Sequence, residues 1–275
     1  MSVLRSLVIA FACFSKLPMP RVDWEPRAMR YSMCFFPLIG LVIGLIIWGW
    51  LALAAWLDLG VLLRATGVLL VSLAVTGGIH MDGFADVVDA QSSHAEPERK
   101  RQILKDPHTG AFAIIGVAAY LLAYVALASE LVAAPAGAGG AAAGAAAPGL
   151  PIPASWLLLC CLPWMSRCVA GLASVAFPRS SKGGMLAAFG GSADKKVTFA
   201  VLLAAWALGA AVMLAADHLV GGLVCASDLV VLAWLHRFAR KEFGGMSGDL
   251  AGFLLQLSEL VMLAVLVFAT KVVML

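Results

Sequence analysis

The chain has 275 residues, 62% hydrophobic and 13% charged, with a net charge of +3 and a mean hydropathy of +0.96. A soluble domain is nearer half apolar and a quarter charged, so this composition describes a polytopic α-helical membrane protein. It excludes a transmembrane β-barrel, which needs short alternating strands, and it offers no basic surface for nucleic acid.

The first stretch, 1–15, carries Arg5 ahead of an apolar run and faintly resembles a signal peptide. No secreted soluble domain follows it, so an uncleaved, partly amphipathic or re-entrant helix is expected. Seven apolar segments then follow, at about 33–57, 61–80, 110–132, 155–177, 197–216, 219–238 and 251–270. Each is close to the ~20 residues that cross a bilayer. The fold class is therefore all-α, an integral membrane bundle of about seven transmembrane segments plus a short N-terminal helix.

Sixteen of the nineteen Lys and Arg residues fall in alternate connections. They are Arg5, Lys16, Arg21, Arg27 and Arg30; Arg99, Lys100, Arg101 and Lys105; Arg179, Lys182, Lys195 and Lys196; and Arg237, Arg240 and Lys241. The positive-inside rule puts these connections in the cytoplasm of a multi-pass membrane protein. The opposite connection at 133–154 is an uncharged Ala/Gly/Pro tract, expected to be a flexible linker within one transmembrane catalytic domain spanning 1–275. No internal repeat supports an inverted-repeat transporter. The six cysteines form no ligand pattern and read as small apolar residues.

The polar residues that break this pattern gather in the basic connections. Asp82, Asp86 and Asp89 fall at i, i+4 and i+7, one face of a helix. Neighbouring charges ~6 Å apart would repel by about 3 kcal/mol per pair at an effective dielectric near 20. A cation relieves that repulsion, and carboxylates suit a hard ion such as Mg²⁺ or Mn²⁺. Gly77 and Gly78 just before them permit a tight bend. His80 fits a base, a phosphate contact or a surface residue. Arg101 and Lys105, at i and i+4, suit a phosphate, with Asp106 beside them. The turn Gly244-Gly-Met-Ser-Gly-Asp249 offers N–H groups to an anion, and Asp249 could complete a metal site. Arg167 and Glu259 lie deep in their spans, at about 15 Å and about 12 Å, and are expected to meet or to line one polar pocket that Asp228 joins. Hard metal, basic side chains and a glycine turn on one face describe phosphoryl transfer.

Motifs along nearly the whole chain resemble the cobalamin synthase family, the adenosylcobinamide-GDP ribazoletransferases. They are Phe14-Ser-Lys-Leu-Pro-Met-Pro20, Phe36-Pro-Leu-Ile-Gly40, Gly77-Gly-Ile-His-Met-Asp-Gly-Phe-Ala-Asp-Val-Val-Asp89, Ile103-Leu-Lys-Asp106 with Gly110, Ser166-Arg167, and Gly244-Gly-Met-Ser-Gly-Asp249 with Glu259. Lys16, Ser247 and Ala90 depart from the family pattern, which has Arg, Thr and Gly there. The resemblance implies Mg²⁺-dependent transfer of the phosphocobinamide moiety of adenosylcobinamide-GDP to α-ribazole or its 5′-phosphate, with release of GMP. It implies Asp82, Asp86, Asp89 and Asp249 as metal ligands and His80, Asp82, Asp86 and Arg167 as catalytic residues, His80 being the leading base candidate. Lys105, Asp106, Gly245, Ser247 and Glu259 become substrate contacts. The implied partners are these small molecules, the bilayer, and a second copy of the chain or other corrinoid-pathway enzymes.

Two other readings are weighed against this one. A CDP-alcohol phosphotransferase needs Ala-Arg where Asp86-Val87 stand. An ion-coupled transporter would use Arg167, Asp228 and Glu259 as a relay but leaves the aspartate run without a role.

Overall fold

The computed structural model describes residues 2–133, 153–180, 189 and 192–273. Lys182 and nearly all of the 133–154 linker lie outside them.

The chain is helical in almost every described segment. Helix α1 (Ser2–Phe14) has 13 residues, too short to cross, with Val3 and Leu4 exposed and Ile9 and Ala10 buried. A short turn of helix, α2 (Pro26–Met29), and a 3₁₀ turn at Ser32–Phe35 lead into α3 (Phe36–Trp56). Then come α4 (Val61–Thr76), α5 (Ile79–Ser92), α6 (Pro97–Ile103), α7 (Ala111–Val132), α8 (Ala154–Ala176), α9 (Lys195–Ala216), α10 (His218–Phe243) and α11 (Gly248–Val273).

Six of these helices are long and apolar enough to cross a membrane: α3 with its lead-in, α7, α8, α9, α10 and α11. The seventh expected span, 61–80, is interrupted. Helix α4 stops at Thr76, where Gly77 (φ 63°) and Gly78 (φ 77°) take the left-handed conformation that glycine alone adopts freely. Helix α5 then sets off at 97° to α4, so the pair is one bent span at most, and α5 by itself is not one of the crossing helices. The glycine bend expected from sequence is present, and it ends the span earlier than hydropathy implies.

Helix α8 is the axis of the bundle. Of its most apolar stretch 78% is buried, against 22% for α7 and 22% for α9. It meets α3 at unusually close range, because a methyl group on Gly40 would lie 2.2 Å from the Pro163 carbonyl oxygen and one on Gly44 2.2 Å from that of Cys160. Small residues four apart allow such an approach, and in lipid close packing is what holds helices together.

Helix α11 carries the second half of the core and holds α5. A methyl group on Gly83 would lie 2.9 Å from the Asp249 Cα, and one on Gly252 2.9 Å from the His80 carbonyl oxygen. Each helix thus uses a glycine to admit the other's backbone. This reciprocal contact sets the acidic face of α5 beside the start of α11.

Candidate active site

Where α5 and α11 touch, Asp82, His80 and Asp249 line a cavity of about 300 Å³. Asp82 sits in the first turn of α5 and Asp249 in the first turn of α11. Both helix N-termini favour negative charge. Ser247 caps α11, its Oγ accepting from the Leu250 N–H at 3.2 Å, and lies 3.5 Å from Asp249 Oδ2. On its other side Asp82 borders an open cavity of about 710 Å³, which Lys16, Gly77 and Gly78 also line.

Asp86 is half-buried one turn further along α5. Burial first, then the charges of Asp82, Asp249 and Asp89, push its carboxyl up to about 6. Asp86 therefore feels the charges of the other three acids. Asp89 stands over Gly110 at the head of α7, where a methyl group would lie 2.1 Å from its Oδ1. Among the described residues no three His, Cys, Asp or Glu side chains form a ready-made metal cage. Magnesium does not demand one, since it is usually held by one or two carboxylates with waters and substrate phosphates as its other ligands. The all-oxygen donor set and the mutual repulsion centred on Asp86 fit such an ion.

His80 is buried between aromatic rings. Phe14 lies 6.3 Å away and nearly parallel, and Phe36 lies 5.7 Å away edge-on. Its Nε2 is buried without a hydrogen-bond partner. Burial first, then the positive charge of Arg167, lower its pKa to about 3, so the ring is neutral.

The other expected site residues fall elsewhere. Arg167 and Glu259 do meet: Arg167 NH1 donates to Glu259 Oε1 at 2.9 Å, with the two side chains 1% and 3% exposed. Ser166 Oγ donates to the same oxygen at 2.8 Å. The pair does not line the cavity, since α8 reaches it through Ser174, two turns nearer the helix end. Asp228 accepts from Trp206 Nε1 at 2.9 Å and from the Oγ of Ser258, the residue before Glu259. These intramembrane acids are hydrogen-bonded within the protein.

Lys105 and Asp106 sit in an exposed turn after α6, outside the cavity. The Asp106 carboxylate accepts from the His108 N–H at 3.0 Å and lies 2.7 Å from its Nδ1, and the backbone N–H bond is the main reason its pKa is lowered. Arg101 is not free for phosphate, because NH1 donates to the Phe243 carbonyl at the end of α10 (3.1 Å) and NH2 to Glu98 (3.0 Å). The glycine turn is likewise engaged. Gly245 N–H bonds to Ala239 and Met246 N–H to Pro178. Gly245 is buried against the 178–180 backbone with φ 144°. The N–H groups at 244–246 are thus used in closing α10 and bridging to the 178–180 segment, while the rest of the turn leads to Ser247 and Asp249 at the start of α11.

In the sequence Lys16 stands out only as one of the basic flanking residues and as a departure from the family pattern. Its stem packs over Gly77, its N–H bonds to the Val75 carbonyl at 2.7 Å, and it shares a cavity with Asp82. The aromatic residues Phe14, Phe36 and Phe189 around His80 were also missed as a group. Phe14 and Phe36 both lie in the quoted motifs, but nothing in the spacing says that they meet. A larger open groove of about 780 Å³ along α10 carries Arg237, Arg240 and Lys241 and has no acidic residue among its described lining, which separates it from this site.

Fold and site together define a class: a multi-pass helical membrane protein with carboxylates from two helix N-termini converging on an aromatic-lined cavity. The model of the family described as cobalamin-5-phosphate synthase matches residues 6–267. An adenosylcobinamide-GDP ribazoletransferase from Lachnoclostridium phytofermentans is 36% identical over 276 residues, 99% of this chain and 97% of that protein. Proteins of the same name from Pseudomonas paraeruginosa and Clostridium perfringens SM101 are 33% identical (96% and 98% covered) and 29% identical (93% and 94% covered). No solved structure matches. The chain belongs to the cobalamin-5-phosphate synthase family and is an enzyme.

Proposed function

We propose that this enzyme transfers the phosphocobinamide moiety of adenosylcobinamide-GDP to α-ribazole or α-ribazole 5′-phosphate. An oxygen of the acceptor's ribose forms a bond to the phosphorus that carries cobinamide. The bond from that phosphorus to the oxygen bridging the two phosphates breaks, and GMP leaves with that oxygen. The products are adenosylcobalamin, or its 5′-phosphate, and GMP. The observation that carries this reading is the convergence of Asp82 and Asp249 at one cavity, held by the Gly83 and Gly252 contacts and flanked by Lys16.

Mg²⁺, with Mn²⁺ as a substitute, would be held by Asp82, Asp86 and Asp249, with Asp89 nearby, and would supply charge neutralisation at the diphosphate. Lys16 faces the open cavity as a phosphate contact. His80, neutral, orients a substrate by hydrogen bonding, and the acceptor's proton leaves to a carboxylate or to water. Ser247 positions Asp249. The buried Glu259 fixes Arg167, whose charge reaches His80. The basic connections support a cytoplasmic position for this face in a bacterial plasma membrane, on the side where a nucleotide donor would be found.

The test is incubation of the purified protein in lipid with adenosylcobinamide-GDP, α-ribazole and Mg²⁺. GMP release that requires all three supports the proposal. GMP release without the acceptor, or none at all, refutes it.

A further inference from the structure

The open groove of about 780 Å³ along α10 has a chemistry unlike that of the acidic cavity. Its residues on α10 recur at the three- and four-residue steps of one helical face. Leu229, Leu232 and Ala233 make its apolar part, and Arg237, Arg240 and Lys241 its basic part, with His236 between. Phe177, just past the end of α8, forms the opposite wall, its ring 4.6 Å from that of His236. From Leu229 to Arg240 the helix rises about 16 Å, roughly half the hydrocarbon thickness of a bilayer. Leu229 and the neighbouring Val230 and Trp234 are exposed, so this face of α10 is open to lipid.

The basic end lacks a counter-charge. Arg237 and Arg240 are exposed and make no ion pair among the described residues, and the groove's described lining holds no acid. The adjoining Glu242 accepts from the buried Lys100 at 2.5 Å and stands only within 3.5 Å of Lys241. Arg30, Arg101 and Lys271, by contrast, each have a carboxylate at 2.7 Å, 3.0 Å and 2.9 Å.

We propose that this groove binds an anionic phospholipid of the surrounding leaflet. Its phosphate is held by Arg237, Arg240 and Lys241, and an acyl chain lies along Leu229, Leu232 and Ala233. Charge selects an anion, and the arginine forks suit the oxygens of a phosphodiester. The apolar continuation selects a lipid over a free anion, because a soluble phosphate ester would use the basic end and leave the strip below it empty. A zwitterionic headgroup would bring a further cation to a place that already has three. Topology alone asks only for positive charge at the end of a span. It asks for neither a concave surface nor an aromatic wall, and basic pockets between helices are where anionic headgroups lodge. The site is independent of the transfer reaction proposed above.

The test titrates the purified full-length protein, in neutral detergent, with phosphatidylglycerol and separately with phosphatidylcholine, and reads bound lipid by native mass spectrometry. The wild type should prefer phosphatidylglycerol by about tenfold or more, and equal binding of the two overturns the proposal. Arg237→Gln with Arg240→Gln should weaken phosphatidylglycerol about twentyfold, since each basic residue near a membrane surface contributes roughly fivefold. Lys195→Gln with Lys196→Gln removes the same charge from the exposed start of α9 and should change binding by about twofold at most. An equal loss in both double variants would show diffuse attraction and no site. Ala233→Trp fills the apolar strip at constant charge and should also weaken binding; an unchanged affinity would remove the acyl chain from the groove. Glycerol 3-phosphate and GDP carry phosphate without a chain and should compete poorly. Displacement of the lipid by either at equal concentration would reassign the groove to a soluble phosphate ester. The wild-type preference and the competition need no variant, so they decide the proposal even where a variant misfolds.

Discussion

Replacing Glu259 with leucine should unfold this protein far more readily than replacing Glu259 and Arg167 together. Glu259 Oε1 receives Arg167 NH1 at 2.9 Å and Ser166 Oγ at 2.8 Å, and the guanidinium's other partner is the Pro163 carbonyl at 2.9 Å. Leucine at 259 leaves a cation, 1% exposed, with one neutral acceptor at the centre of the bundle. Removing one partner of a buried pair costs about 3–5 kcal/mol, whereas exchanging both for apolar residues of similar volume is often near neutral. Arg167→Met with Glu259→Leu should therefore lie within about 1 kcal/mol of the wild type, which makes the coupling about 3 kcal/mol or more. The assay is unfolding by SDS titration in mixed micelles, followed by intrinsic fluorescence, on the wild type, both single variants and the double variant. A single variant within 1 kcal/mol of the wild type, or strict additivity, would refute the reasoning. The double variant also separates structure from function, because a stable but inactive protein shows that Arg167 acts on the site.

Asp86→Asn should keep the fold, since it removes charge from a repulsive cluster, yet lose turnover by orders of magnitude; activity near wild type would sink its assignment to the metal. Gly83→Ala drives a methyl group to 2.9 Å from the Asp249 backbone and should cost about 1–3 kcal/mol together with activity, while Gly49→Ala, which meets nothing within 4 Å, should be silent in the same thermal and activity assays. Asp194 caps α9, and the hydrogen bond from Arg30, then that from the Val197 N–H, hold its carboxyl below the ordinary 3.8. Its stabilising contribution is thus present above that value and lost as pH falls through the folded-state pKa. Asp194→Ala should lower stability at neutral pH and flatten its acid dependence, and an unchanged acid limb would count against the cap.

Apolar run length was enough to place most of the bundle, because a segment that must satisfy its backbone in lipid has little choice but helix. The expected 110–132, 155–177 and 197–216 are the helices Ala111–Val132, Ala154–Ala176 and Lys195–Ala216. Hydropathy failed where polarity and helicity part company. The sixth segment continues from 238 to Phe243 through Arg240 and Lys241, and it stops only at Gly244, whose φ is 70°. Lys100 shows the same limit in the site's surroundings. As sequence it is one of a run of basic residues flanking a span. In the fold it is 3% exposed and donates to Glu242 Oε2 at 2.5 Å and Gln91 Oε1 at 2.9 Å, which ties α5, α6 and α10 together. No local pattern encodes a partner 142 residues away.

The acids themselves were legible because three like charges on one helical face are conspicuous in an apolar chain. Their assembly was not, because it depends on glycines whose purpose is invisible until two backbones meet. Gly83 and Gly252 are unremarkable letters beside Asp82 and Asp249, yet a single methyl group at either would push α5 off α11. The site is therefore positioned by what those two residues lack. That makes spacing between helices, more than the identity of any one carboxylate, the quantity on which the chemistry depends. A lone aspartate can be displaced by a rotamer change, whereas the distance from α5 to α11 is fixed by backbone contact on both sides. Substitutions at these glycines should consequently depress donor and acceptor use together.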